Sequence, residues 1–247
     1  MDFPPATDVA FVIAGALAAG FVNGLSGMGY GLLSMGLWLH AMPPTTAVPL
    51  VAVCSVGGHL QSLPRIWRGI IWSRLWPFLA TGLMGVPIGV ALLRHIPAQP
   101  LKLSLGVFLV AYTAWMAFVR RPPIVYGGGR LADAAIGFMG GVLGGLSSMS
   151  GPVPAIWSQL RGWNMHEQRG VNQPYNMTTL AMTVATALVT GIIDRHFLIW
   201  VVLALPGTIV AAHVGLACYG RVNDVQFRRI ILVMLAISGA SLVASAL

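Results

Sequence analysis

Residues 20–39 read GFVNGLSGMGYGLLSMGLWL, a glycine-rich stretch that interrupts an otherwise apolar run. A related stretch, GVLGGLSSMSGPVPAIWSQL, occupies residues 141–160. Two glycines, two leucines, a serine and a methionine coincide between the two stretches at a constant spacing of 121 positions. We interpret this pattern as a duplication, with one repeat over residues 1–122 and a second over residues 123–247.

The composition indicates a membrane protein. Hydrophobic residues make up 57% of the chain and charged residues 8%, with a mean hydropathy of +0.81, whereas a soluble domain carries about 25% charged residues. The net charge of +8 comes from the connecting loops, so membrane orientation explains it better than nucleic-acid binding. We predict an all-α integral membrane protein with two homologous halves of four hydrophobic segments each. The segments cover residues 9–40, 45–63, 75–93, 101–119, 131–160, 171–193, 197–219 and 225–246.

The first segment of each half is too long for a single straight span. As one helix, residues 9–40 would measure about 48 Å, against a hydrocarbon core of about 30 Å. The glycines and proline in windows 24–31 and 145–152 are the expected points of interruption. We predict that each such segment is broken or re-entrant; a tilted or kinked span is the alternative.

The loop charges favour the re-entrant arrangement. If every segment crossed the membrane once, each side would carry seven Lys or Arg residues and neither side would be favoured. If the first segment of each half returns to its own side, eleven basic residues share one side and three share the other. We therefore predict inverted halves, both termini outside and eleven cytoplasmic cations. These are Arg65, Arg68, Arg74, Arg120, Arg121, Arg130, Arg161, Arg169, Arg221, Arg228 and Arg229, against Arg94, Lys102 and Arg195 outside.

The two interrupted tips are candidates for a small polar site near the membrane midplane. Irregular backbone at membrane depth persists only where it is buried in protein or lines a polar cavity. A helix that starts near Pro152 would present unpaired N–H groups and a positive dipole end, which favour an anion. The alternative is that small residues simply let helices pack closely. The tip residues predicted to contact the anion are Asn23, Ser26, Met28, Gly29 and Gly31, and Ser147, Ser148, Met149, Ser150 and Gly151.

A polar run at the start of segment 171–193 extends this candidate site. Its members recur at helical spacing and would share one face of a helix, toward the cavity. For the arginine in this run, the alternative is an interfacial cation on the cytoplasmic side. The residues are Arg169, Asn172, Gln173 and Asn176.

The interior of the segments carries no acidic residue, because all of them lie at segment ends or in loops. We therefore predict neither a metal site nor a carboxylate site for organic cations. Inverted halves are typical of secondary transporters. There is no nucleotide-binding motif and no cofactor is expected, so transport would be coupled to another ion. The candidates for proton coupling are His59, His213 and Glu167, with helix packing as the alternative role of the histidines.

Three motifs follow one another along the chain: a G-x-x-G-x-x-x-G-x-G type pattern over residues 20–31, Ser-Gly-Pro at 150–152, and Arg-Gly-Trp at 161–163 followed by Gln-Arg at 168–169. In this order they resemble the sulfite exporter TauE/SafE family of membrane permeases over nearly the whole chain. Members of that family look like two four-segment halves, each opening with a glycine-rich motif.

The resemblance implies a multi-pass secondary transporter of the bacterial inner membrane that moves sulfite or an organosulfonate. Tyr30 interrupts the fuller glycine triplet, and Ser148 and Ser150 stand where glycine is expected, so the individual substrate is left open. The expected partners are the small anion and membrane lipid, not nucleic acid. The small size of the chain is compatible with a homodimer.

Two alternatives compete with transport. Residues 24–27 (GLSG) also match the sequence around the nucleophile of rhomboid-type intramembrane serine proteases, with His59 or His213 as the base. So short a match is common in a glycine-rich chain, and a duplication suits alternating access better than one catalytic pair. We therefore predict no catalytic residue. The second alternative is a structural or sensory membrane protein, which would bind no anion.

Overall fold

The computed structural model describes residues 4–27, 29–119, 123–193, 197–218 and 224–246, apart from the side chains of Ser26, Leu63, Arg65, Ile66 and 224–231. All regular secondary structure in this part of the chain is helical. The helices are α1 (Ala6–Ser26), α2 (Tyr30–Ala41), α3 (Pro44–Trp67), α4 (Trp72–His95), α5 (Ala98–Phe118), α6 (Gly129–Ser147), α7 (Pro152–Leu160), α8 (Met165–Val189), α9 (Phe197–Cys218) and α10 (Asp224–Ala246).

Each of the two longest apolar segments is divided into a long helix and a short one. The first break, residues 27–29, separates α1 from α2, and the second break, residues 148–151, separates α6 from α7. Both breaks lie within the windows predicted from the glycines and the proline. The eight predicted segments thus form ten helices over the described residues.

The two breaks begin with the same backbone conformation. Gly27 ends α1 with a φ of 70°, and its N–H donates to the Asn23 carbonyl at 2.7 Å. Ser148 ends α6 with a φ of 54°, and its N–H donates to the Gly144 carbonyl at 2.8 Å. Among the described residues Ser148 is the only one other than glycine with a positive φ, a conformation that costs about 1–3 kcal/mol. The left-handed turn therefore recurs at both breaks, even where the residue is not glycine.

Both short helices fold back along the long helix that precedes them. Trp38 Nε1, near the end of α2, donates to the Val12 carbonyl of α1 at 3.0 Å. Trp157 Nε1, near the end of α7, donates to the Asp133 carboxylate of α6 at 2.7 Å. Each segment is therefore a helical hairpin, and a single tilted or kinked span is wrong for both.

The loops after α3, α5 and α7 lie together. The Ile71 N–H donates to the Gly170 carbonyl at 3.3 Å, and the Val125 N–H donates to the Leu160 carbonyl at 2.7 Å. We call this end of the molecule the basic face. Its arginines within the described side chains are Arg68, Arg74, Arg130, Arg161 and Arg169.

The start of α1, the end of α2 and the end of α10 form a second group. The rings of Phe11 and His40 stack with centroids 6.0 Å apart. His40 Nε2 lies 3.0 Å from the Ser241 hydroxyl. The two ends of the chain therefore lie on the same face.

Glycines hold the two halves together. α1 packs on α9 and α6 packs on α4. A Cβ on Gly24 would lie 2.9 Å from the Leu216 backbone nitrogen, and one on Gly145 would lie 2.8 Å from the Val90 backbone nitrogen. Side chains here would separate the helices, so Gly24 and Gly145 act in helix packing.

Among the described residues, four helices are long and apolar enough to cross a membrane, namely α1, α4, α5 and α9, and α10 contributes a shorter apolar stretch from Leu232. α3 and α8 carry buried polar side chains such as His59 and Gln173. They contact each other and several other helices. Protein contacts therefore shield the polar side chains of this central pair.

Candidate functional site

A cavity of about 120 Å³ lies between the two breaks. We call it the inter-break cavity. Six residues predicted to contact an anion line it: Gly29, Gly31, Ser148, Met149, Gly151 and Asn176. The remainder of its lining is mainly apolar and comes from Val22, Leu32, Leu33, Tyr112, Met116, Pro152, Ala155 and Leu235.

The breaks contact each other and reach into the opposite half. A Cβ on Gly31 would lie 2.5 Å from the Ser148 carbonyl oxygen. The Ser148 hydroxyl donates to the Val48 carbonyl of α3 at 2.7 Å. In the other direction, a Cβ on Gly27 would collide with the side-chain amide of Gln173 on α8. Each break is therefore held by the central helix of the other half.

Tyr30 fixes the start of α2. Its hydroxyl lies 2.7 Å from the Thr208 hydroxyl of α9, which itself donates to the Ala204 carbonyl at 2.9 Å. The tyrosine that interrupts the glycine motif thus anchors the short helix to α9 instead of lining the cavity.

Neutral groups supply the hydrogen-bond donors of the cavity. The Ser150 hydroxyl donates to Asn176 Oδ1, and both residues are buried. An amide oxygen can only accept, so the amide nitrogen is the group of Asn176 that can donate to a ligand.

The two short helices differ in the backbone donors that they offer. α2 starts at Tyr30 without a side-chain cap, so the N–H groups of its first turn have no acceptor within the helix. α7 also lacks a side-chain cap, but Pro152 and Pro154 carry no N–H. The start of α7 therefore offers fewer backbone N–H groups than a helix start without proline. The start of α2 is the stronger anion-attracting end.

A second cavity of about 430 Å³ lies on the other side of the first break. Gly27 and Gln173 line it together with Arg169 and with loop residues of the basic face, Gly69 and Asn164. Gly29 and Asn176, which are close neighbours of Gly27 and Gln173 along the chain, line the inter-break cavity instead. The first break and one turn of α8 therefore separate the two cavities.

Other predicted site residues lie outside both cavities. Asn172 Nδ2 donates to the Ser158 hydroxyl of α7 at 3.0 Å, and the Ser147 hydroxyl donates to the Leu143 carbonyl at 2.8 Å. Asn23 is buried, and its amide nitrogen would lie 2.8 Å from a Cβ on Gly58. Ser150 is buried beside Asn176. Met28 and the side chain of Ser26 are not among the described parts of the chain.

The candidates for proton coupling occupy three different environments. His59 is buried in α3, and its Nδ1 lies 2.6 Å from the Ser55 carbonyl oxygen. His213 is exposed on α9. Glu167 lies at the basic face, where it forms an ion pair with Arg74 at 2.8 Å. The three residues do not form one relay.

Glu167 is also part of a helix cap. The Asn164 N–H donates to Glu167 Oε2 at 2.9 Å, and the Glu167 N–H donates to Asn164 Oδ1 at 3.0 Å. The bond from the Asn164 backbone, with Arg74 beside the carboxylate, lowers the pKa of Glu167 below its ordinary value of 4.5. The ion pair joins the first half to the start of α8.

Glu167→Gln is expected to change the acid sensitivity of the protein. A lowered pKa gives stability that is present above pH 4.5 and is lost as the pH falls through the lower value of the folded state. The melting temperature of the wild type should therefore decline faster below pH 4.5 than that of the variant. Because glutamine can retain the helix cap, the difference between the two proteins reports the charge of the Glu167 carboxylate. If the melting temperatures of the two proteins changed with pH in the same way, the Glu167 charge would have no role in acid sensitivity.

Sequence reasoning missed the apolar half of the cavity. Tyr112 and Met116 come from α5 and Leu235 comes from α10. The local sequence pattern of apolar residues in a membrane segment is the same whether their side chains face lipid, protein or a ligand. Only the packing of α5 and α10 beside α2 identifies them as lining residues.

Comparison with known proteins agrees with this architecture. The family model described as "Sulfite exporter TauE/SafE" matches residues 12–242. No curated protein and no solved structure matches the chain. The family is one of membrane transporters, which disfavours the protease and the structural or sensory alternatives. The chain belongs to the sulfite exporter TauE/SafE family.

Proposed function

We propose that this protein is a secondary transporter that carries a small sulfur-containing anion across the bacterial inner membrane by alternating access. The observation that carries the proposal is the inter-break cavity, since two broken helices from the two halves meet there. Discontinuous helices whose ends converge on one site are the usual binding device of secondary transporters.

The lining of the cavity suits an anion that also has an apolar part. The polar part of the lining offers the start of α2 and the amide nitrogen of Asn176, which can donate to a sulfonate or sulfite group. The apolar part of the lining consists of side chains such as Leu32, Met149 and Leu235. A short organosulfonate would use both parts, whereas sulfite would use only the first.

An inverted arrangement of the halves accounts for the contacts at the two faces. The loops after α3, α5 and α7 lie together, and the ends of α2 and α10 lie beside the start of α1. If each half contributes one hairpin and three crossings, these loops share one side of the membrane, and the ends of α2 and α10 share the other side with the start of α1. Eight single crossings would put the loops after α5 and α7 on opposite sides. The basic face would then be cytoplasmic.

The pairing of helices also fits a duplicated unit. α1 packs on α9 as α6 packs on α4, and α3 contacts α9 as α8 contacts α4. In each comparison, replacing every helix by the equivalent helix of the other half converts one contact into the other. Such an arrangement provides two related states, one for each side of the membrane.

The second cavity supplies a route between the basic face and the site. It reaches from the loop residues to Gly27 and Gln173, whose contact separates it from the inter-break cavity. We propose that Arg169 and Gln173 act along this route and that rocking of the halves opens the Gly27–Gln173 contact. A homodimer and bound lipid remain expectations.

Counterflow in proteoliposomes tests this function. Vesicles preloaded with unlabelled sulfite, sulfoacetate or taurine are placed in a trace of the labelled compound, with choline as the cation control. A transporter accumulates label transiently above its equilibrium level only when the preloaded compound is a substrate. Accumulation with at least one sulfur anion and none with choline or in protein-free vesicles is expected. No counterflow with any sulfur compound would overturn the proposal.

A further inference from the structure

The buried ring of His59 lies against the first break. The residue is 1% exposed, and its Nδ1 lies 2.6 Å from the Ser55 carbonyl oxygen. A carbonyl can only accept, so Nδ1 carries the hydrogen and Nε2 of the neutral ring carries a lone pair.

Nε2 is buried without a hydrogen-bond partner among the described residues. The ring faces the backbone of Gly27, the residue that directly follows the end of α1. Buried polar atoms in proteins are nearly always paired, so an unpaired ring nitrogen at this point requires an explanation. The C-terminal end of a helix carries a partial negative charge and favours the imidazolium form of histidine.

Asn23 adds a second unpaired acceptor to the same end of α1. Its Oδ1 is buried without a hydrogen-bond partner in the described chain, and its amide nitrogen packs on α3 at Gly58, next to His59. Two buried acceptors and the negative end of a helix are therefore close to one another. The two acceptors and the helix end suit a cation.

We propose that His59 Nε2 binds the proton that is transported together with the anion. This inference rests on the proposed function. The proton would sit at the negative end of α1, while the anion sits at the positive start of α2, on the two sides of the same break. Opposite charges placed in this way favour each other, so neither ligand binds as well alone.

Several titratable groups on helices that contact α3 are engaged elsewhere. Tyr30 pairs with Thr208, Arg74 pairs with Glu167, and Asp133 accepts from Trp157. Nδ1 lies beside the carbonyl oxygen and the hydroxyl of Ser55, at 2.6 and 3.3 Å, and the ring faces the backbone of Gly27. The remaining titratable groups on these helices and on α3, with Arg68 directly after α3 and with Arg65 outside the described side chains, are Asp8, His40, Cys54, Arg65, Arg68, Arg94, His95, Arg130, His166, Arg169, Tyr175, His213 and Cys218.

The second half has no equivalent site. The position 121 residues after His59 is Leu180. The proposal therefore assigns one proton site to the whole molecule.

The test compares wild type, His59→Gln and His213→Gln in proteoliposomes with labelled sulfoacetate, a strong acid whose charge is constant near neutral pH. An inward gradient of about one pH unit is imposed with the membrane potential clamped, and one coupled proton allows about tenfold accumulation. We expect gradient-driven uptake in the wild type and in His213→Gln. His59→Gln should lose gradient-driven uptake. Its sulfoacetate counterflow, which needs no net proton movement, should stay above that of protein-free vesicles but be slower than in the wild type, because the anion binds less well without the proton.

The other outcomes separate the proton site from the proposed function. Gradient-driven uptake that persists in His59→Gln would overturn the proton site and leave the transporter intact. Counterflow without any response of the wild type to the gradient would do the same. Absence of counterflow for every sulfur anion would overturn both proposals.

A second measurement does not depend on the folding of a variant. Nitrogen NMR of the histidine-labelled wild type resolves neutral and doubly protonated rings among its six histidines. Saturating sulfoacetate should convert one ring from the Nδ1–H neutral form to the doubly protonated form. No change in any ring would contradict the proposal.

Discussion

Gly151→Ala is expected to lower transport of the sulfur anion by at least about tenfold, the discrimination that one extra methyl group in a pocket can give. Gly151 lines the inter-break cavity, and a Cβ there would lie 3.7 Å from Asn176 Oδ1, an ordinary contact. The φ of −75° suits alanine. The methyl group would therefore cover the amide that faces the ligand without disturbing the fold.

Two measurements separate this effect from misfolding. The melting temperature of Gly151→Ala should equal that of the wild type, while initial rates of counterflow fall. Gly127→Ala is the control, because a Cβ at that position meets no atom within 4 Å and Gly127 is not among the residues that line the cavity. If Gly151→Ala transported at the wild-type rate, the inter-break cavity would not be the binding site of the transported anion.

Gly145→Ala is expected to destabilise the protein by about 1–3 kcal/mol, the usual cost of overpacking. A Cβ would collide with the Val86 carbonyl and lie 2.8 Å from the Val90 nitrogen. Both are backbone atoms, which cannot turn aside as a flexible side chain can. α6 and α4 would therefore have to move apart along the crossing that joins the two halves.

Gly207→Ala is the matched control for this change. Gly207 also lies within a helix, but its nearest neighbour would be Leu17 Cδ2 at 3.6 Å, an ordinary contact. Alanine should stabilise a helix interior there by about 0.5–1 kcal/mol. Melting curves followed by tryptophan fluorescence should thus shift in opposite directions for the two variants. Equal shifts would argue against a glycine-dependent crossing.

The helix breaks were predictable because glycine and proline leave a local signal. Gly27 and Gly29 adopt positive φ values, and Pro152 occupies the first turn of α7. The distribution of basic residues among the loops indicated that each hairpin returns to its own side, since only that arrangement places most arginines on one side of the membrane. The hydrogen bond from Trp38 to Val12 agrees with it.

The division of the polar run on α8 was not predictable. Arg169, Asn172, Gln173 and Asn176 share a helix face, but this face extends about 10 Å along the axis. Over that length it passes the second cavity, α7 and the inter-break cavity in turn. Helical periodicity gives the direction of a side chain, whereas its neighbours depend on the other helices.

The anomalous signal of selenite, the selenium counterpart of sulfite, in crystals of the wild-type protein would test the central claim most directly. We expect one selenium peak in the inter-break cavity, within hydrogen-bonding distance of the Gly31 N–H or Asn176 Nδ2, and no such peak in Gly151→Ala. A peak confined to the basic face, or one in the cavity that persists in Gly151→Ala, would contradict binding of the anion between the two breaks.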